Sequence, residues 1–123
     1  MRAFRCGQIW LVNFDPSLGH EYRRVRPALI VQSDAYVAAG NLLVVIPLSS
    51  KTAKRSKLDL LVPKDAENRL KTDSLLKMKQ ISSFDKRRFI KLIGVVNAEV
   101  LKRAEERVGD FLFQRSVPVS RRR

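Results

Sequence analysis

Apolar residues along this chain fall mostly in short runs separated by polar or Gly/Pro-containing stretches. Gly7 to Phe14 (GQIWLVNF) is apolar on both faces, which predicts a strand in the centre of a curled sheet. Asp15 to Val25 reads as a long loop turning at Pro16 and Gly19. Arg26 to Gln32 is a second strand; Pro27 lacks an N–H, so its end faces a rim or an unpaired edge. Ser33 to Tyr36 predicts a helical turn capped by Ser33. Leu42 to Ile46 is a buried strand by its continuous Leu and Val run. Ser49 to Lys57 is polar and basic, hence a loop, and Leu58 to Val62 is an edge strand ending at Pro63. Ser74 to Ser83 is read as one further strand, Asp85 to Arg88 as a helical turn, and Lys91 to Val95 as the last strand.

The closing segment has helical period. Asn97 is an N-cap, Glu99 lies in the first turn where the helix dipole favours an anion, and Val100, Leu101, Ala104, Val108, Phe111 and Leu112 share one face. Gly109 is expected to interrupt this helix. Many short strands, few helices and Gly/Pro turns predict a mainly β (α+β) fold: a small β-barrel with a C-terminal helix packed on it. The 123 residues fit one domain, taken as residues 5–113, with 114–123 a basic tail expected to fray.

Charge adds information about partners. The formal net charge is +13 and the pI about 10.8. Phosphate-rich nucleic acid is the first candidate, an acidic protein the second and a membrane surface the third. No apolar run reaches the roughly 18 residues of a membrane span, and the N-terminus lacks a signal peptide's apolar core, so a cytoplasmic protein is expected. The single cysteine, Cys6, stands beside Arg5 and reads as a structurally idle thiol.

Several chemistries are hard to build from these residues. One histidine, His20, excludes a two-histidine ribonuclease mechanism. The 12 acids are scattered, with no converging set for a two-metal nuclease and no phosphate-binding glycine loop, so no cofactor is expected. The loop before Pro27 is richer. It places one acid, Glu21, close to Arg23, Arg24 and Arg26. On composition alone Glu21 offsets a crowded basic loop; it is also the arrangement that metal-free phosphodiester chemistry needs.

The same residues carry a resemblance. Gly7, Trp10, Asp15, Pro16, Gly19, Glu21, Arg26 and Pro27, then IPLSS (Ile46 to Ser50), KMKQISSFDKRR (Lys77 to Arg88) and the closing helix, resemble the MazF/PemK toxins in order and spacing. These toxins are mRNA interferases of type II toxin–antitoxin pairs. The resemblance implies an SH3-like (CcdB/PemK-type) barrel, a homodimer and an acidic antitoxin partner. It also implies cleavage of single-stranded RNA through 2′-hydroxyl attack, leaving 2′,3′-cyclic phosphate and 5′-hydroxyl ends.

Carried over residue by residue, Arg26 matches the family's catalytic arginine. Ser49 stands where the family usually has a catalytic threonine, and keeps its hydroxyl. Glu21 matches the loop acid, a proton acceptor. A serine at position 49 also caps turns, and Arg26 could anchor RNA without chemistry. Arg23, Arg24, Lys51, Lys54, Lys77, Lys79 and Gln80 are the expected RNA-binding residues. Lys77 and Lys79, two apart in the expected strand, would share one face. The chain departs from the family where Lys79 replaces the acid usually found before Gln80, and where Ser82 replaces an arginine. An enzyme and a catalytically weakened module that binds RNA or antitoxin both follow from these residues. A topoisomerase poison, on the architecture shared with CcdB toxins, has no specific support.

Overall fold

The computed structural model describes residues 3–15 and 24–114. Strand β1 (Gln8–Asn13) is the hinge of the sheet because both its faces are apolar. Ile9 points into one cluster, while Trp10 and Val12 point into another. It pairs antiparallel with β2 (Val25–Ile30) on one side and β7 (Phe89–Val95) on the other, so it is central as the sequence pattern predicts. The β1–β7 pairing slips between Ile9 and Trp10 and between Leu11 and Val12, irregularities that add twist and help curl the sheet.

After β2 comes a one-turn helix, α1 (Asp34–Val37), with Ser33 Oγ accepting from the Ala35 N–H. The long strand β3 (Leu42–Ser49) then serves three neighbours. Its first half pairs with β6 (Ser82–Asp85), its middle with β2, and Leu48 and Ser49 with β5 (Ser74–Leu76). β5 in turn pairs with β4 (Leu60–Val62). The resulting order is β4-β5-β3-β2-β1-β7 with β6 beside β3, a curled, barrel-like antiparallel sheet. Helix α2 (Ala98–Leu112) closes one side: Ala104 is fully buried, and Val100, Leu101 and Val108 pack against Ile9, Leu29, Ile46 and their neighbours. On the opposite face Trp10, Val12, Ile30, Leu43, Val45 and Phe89 form the second core, capped by Phe4, Phe14 and Phe84.

Several expectations need correction. Ser74 to Ser83 is not one strand. β5 stops at Leu76, a 3-10 turn occupies Met78–Gln80, and β6 starts at Ser82. Met78 is the reason: its side chain is 1% exposed, so the chain must turn inward to seat it in the core. Lys77 and Lys79 therefore share no strand face. β3 extends to Ser49, and β7 starts at Phe89 rather than Lys91, because bulky residues at both extensions find buried sites. Gly109 does not interrupt α2, which runs on to Leu112. Phe111 and Leu112, expected on the packed stripe, are 40% and 50% exposed. Pro27 sits opposite Leu11 of β1, while pairing with β3 begins only at Ala28, so its β3 side is a rim as expected. Pro16, Gly19, His20, Glu21 and Arg23, and the tail from 115, lie outside the described residues.

Candidate active site

The strand exchange made by β3 creates a cavity. β3 follows β2 as far as Pro47, then turns to β5 at Leu48. Between the diverging strands lies a cavity of about 750 Å³. Leu11, Pro27, Leu48 and Leu70 give it an apolar floor. Arg26 reaches it from β2 and Ser49 from β3, with Lys51 beyond. Two residues far apart in sequence but singled out for phosphate chemistry are thus brought to one cavity.

Arg26 is exposed and donates from Nη1 to Gln80 Oε1 at 3.4 Å, a long contact that leaves most of its guanidinium fork available. Gln80 ends the 3-10 turn, and the exposed Lys79 precedes it. Ser49 Oγ accepts from the Lys51 N–H at 3.2 Å, so its oxygen caps the turn into the basic loop. The hydroxyl proton is not used in that bond and remains able to donate to a phosphate oxygen.

The described ends of the segment that joins β1 to β2 are tied to each other and to Arg88. Phe14 N–H donates to the Arg24 carbonyl at 2.9 Å, one step beyond the last β1–β2 pair. Arg88 Nη1 donates to the carbonyls of Asn13 and Asp15, and its guanidinium lies 5.8 Å from the Phe84 ring, which stacks edge-on against Phe14. Arg24 is exposed and does not line the cavity.

Lys77 differs from expectation. Its Nζ donates to Asp59 Oδ2 at 2.8 Å and to the Lys54 carbonyl at 3.2 Å. Asp59 is 2% exposed. Burial pushes its carboxyl up, but hydrogen bonds from Lys77 and Ser56 outweigh this and hold it below the usual carboxylate range. Arg107 of α2 donates to the carbonyls of Lys57, Leu58 and Asp59. Lys77 and Arg107 thus anchor the basic loop, and the side chains of Lys51 and Lys54 ride exposed on it. Cys6 is not an activated thiol: burial, then Asp34 and Glu105, push its pKa up.

Over residues 5–112 the sequence matches the family described as PemK-like, MazF-like toxin of type II toxin-antitoxin system. The chain belongs to the PemK/MazF toxin family. It is 31% identical over 107 residues to the endoribonuclease MazF9 of Mycobacterium tuberculosis, covering 83% of this chain and 90% of that protein. It is 48% identical to the Escherichia coli endoribonuclease PemK over 44 residues, 36% of this chain and 33% of that one. A crystal structure of MazF from Deinococcus radiodurans superposes with a TM-score of 0.74 at 26% identity, over 91% of this chain and 98% of that one.

The PemK/MazF pattern pointed to Arg26 and Ser49 but not to the other residues that line their cavity. Arg69, Lys71 and Thr72, from the β4–β5 connection, and Lys91 of β7 also line the cavity. Residues 63–73 form a polar stretch without strand or helix period. The available signals were the turn formers Asp65 and Asn68 and a lysine inside the apolar run of β7. Among the described residues no three His, Cys, Asp or Glu side chains group to hold a metal ion.

Proposed function

We propose that this toxin is an endoribonuclease that cleaves single-stranded RNA by metal-independent transesterification at the Arg26–Ser49 cavity. The carrying observation is that Arg26 and Ser49, from different strands, line the same cavity. Family membership and the name of the MazF9 relative support the activity. The 2′-oxygen attacks the adjacent phosphorus as its proton passes to a base, for which Glu21 is the proposed residue. The P–O5′ bond breaks, and the 5′-oxygen takes up a proton. Arg26 holds the phosphate oxygens as charge accumulates on them, because a planar, permanently charged fork matches two such oxygens. Ser49 donates its free hydroxyl proton to the same group. Lys51, Arg24, Lys79 and Gln80 contribute to the RNA-facing surface, and Arg23 and Lys54 extend it along the flanking loops. Unpaired bases can be splayed out and read on their edges, which favours a short single-stranded recognition sequence.

The cognate antitoxin is proposed to be acidic, matching the +13 net charge, and to lie across the same basic surface. A homodimer is proposed on family grounds; exposed Leu92 and Val95 on the edge strand β7 are consistent with a protein contact. No helix among the described residues is long and apolar enough to cross a membrane, and a cytoplasmic site of action is proposed with the RNA substrate. A second reading, an RNA- or antitoxin-binding module with little turnover, is favoured by Lys79. It puts a cation beside Gln80, where the resemblance to the family leads one to expect an acid. Incubating long single-stranded RNA with the protein in EDTA separates the readings. Discrete fragments with 5′-hydroxyl and cyclic phosphate ends support cleavage. Salt-sensitive binding without fragments supports the module, and 5′-phosphate ends refute the chemistry.

A further inference from the structure

The part of the cavity lining supplied by the β4–β5 connection is held by a dense set of hydrogen bonds. Asn68 is 1% exposed. Its Oδ1 accepts from the Asp65 and Leu70 N–H groups at 3.0 Å each, and its Nδ2 donates to the Pro63 carbonyl at 2.9 Å. Asp65 Oδ1 accepts in return from the Glu67 and Asn68 N–H groups. The loop backbone lies directly on Gly94 of β7, where a side chain would strike Asn68 O at 2.4 Å. All this holds the next residue, Arg69, at φ 55, the left-handed region that L side chains rarely adopt. Arg69 and Lys71 line the cavity, as does Lys91, with no carboxylate among the described lining residues.

We propose that Arg69 and Lys71 form a second phosphate subsite, which takes the phosphate of a nucleotide flanking the cleaved bond while its base lies on the apolar floor. This rests on the RNA-cleavage reading above and extends it from one phosphate to two. The charges lining the cavity are supplied by different elements, Arg26 and Lys51 by β2 and the basic loop, Arg69 and Lys71 by the β4–β5 connection. A polynucleotide presents what such a cavity matches: phosphates at regular spacing with an apolar-faced base between them. The volume of about 750 Å³ falls within the range that encloses a nucleotide-sized ligand. Thr72 and Ser50 add hydroxyls able to meet a base edge. Because phosphate contacts position rather than specify, this subsite sets affinity and register of the strand more than the bond-breaking rate.

The test uses the full-length protein, wild type and the double variant Arg69→Ala/Lys71→Ala, with Lys102→Ala/Arg103→Ala on α2 as a charge-matched control away from the cavity. Binding is measured on a random-sequence single-stranded DNA dodecamer, which has phosphates and bases but no 2′-hydroxyl to attack. Cleavage is measured on long single-stranded RNA. The cavity variant should bind about tenfold more weakly, and its slope of log affinity against log salt should fall by roughly 0.7 for each lost phosphate contact. KM should rise by a similar factor with kcat within about twofold, because the scissile phosphate stays on Arg26. Equal weakening by the α2 control would overturn the subsite, since general charge would then explain the loss. Unchanged binding by the cavity variant, or a loss confined to an acidic antitoxin peptide, would overturn it too. If the wild type binds but does not cut RNA, the cleavage reading fails while the binding comparison still decides the subsite.

Discussion

Replacing Gly94 by alanine tests how the β4–β5 connection, which lines part of the cavity, is seated. Gly94 has an ordinary negative φ, so the substitution strains no backbone angle; what it meets is space. The added Cβ would lie 2.4 Å from Asn68 O and 2.5 Å from Glu67 O, both backbone atoms that cannot swing aside. The β4–β5 connection must retreat by about 1 Å to restore contact, and overpacking of this kind costs about 1–3 kcal/mol. Retreat also stretches the Val95 N–H to Glu67 carbonyl bond, now 3.0 Å. Its loss adds about 1 kcal/mol. Alanine stiffens the unfolded chain and returns about 0.4–1 kcal/mol. The net expectation is a loss of about 2 kcal/mol, or a urea midpoint lower by about 1 M for a typical small-protein slope. Arg69 moves with the connection, so KM for RNA should rise in the folded variant while kcat changes little. A midpoint within ~0.2 M of wild type at unchanged slope would refute the close-approach reasoning.

Asp59→Asn should destabilise the fold by about 2 kcal/mol, because it removes the charged partner of Lys77 next to a buried site; chemical denaturation checks this. The same pair predicts a pH dependence. The Asp59 pKa is lowered on folding, so its contribution is fully present above the unfolded carboxylate value of about 3.9 and is lost as pH falls through the folded value. Wild type should therefore lose more stability than Asp59→Asn between neutral pH and pH ~3, and parallel curves would contradict it. Asn97→Ala removes the Oδ1 acceptor of the Val100 N–H and should lower stability by about 1 kcal/mol with no change in RNA affinity. Arg88→Leu frees the Asn13 and Asp15 carbonyls at the neck of the Glu21 loop, and should lower kcat more than it raises KM; an unchanged kcat would separate the neck from catalysis.

Much of this fold was legible because its strands are marked by local pattern. β1 reads as central from apolar residues on both faces, and α2 from an N-cap and a helical stripe, both properties of adjacent residues. The break after β5 was not legible, since what turns the chain is the burial of Met78 against residues distant in sequence. The role of Lys77 was hidden for the same reason: in sequence it is a free cation, and only folding brings Asp59 to it. At the cavity, Arg26 and Ser49 were singled out through motif resemblance. Arg69 and Lys71 were not, because their placement depends on Asn68 and on the absence of a side chain at Gly94, which the strand pattern of β7 does not advertise.

The central claim is that Arg26 carries charge stabilisation at the scissile phosphate. Single-turnover cleavage of single-stranded RNA in EDTA by wild type and Arg26→Ala measures it directly. Loss of one such donor is expected to lower the rate by about 10²–10³-fold. Binding of the uncleavable DNA dodecamer should weaken only several-fold, since other cations still hold the strand. A variant that cuts at the wild-type rate, or one that merely binds more weakly with an unchanged rate at saturation, would contradict the account.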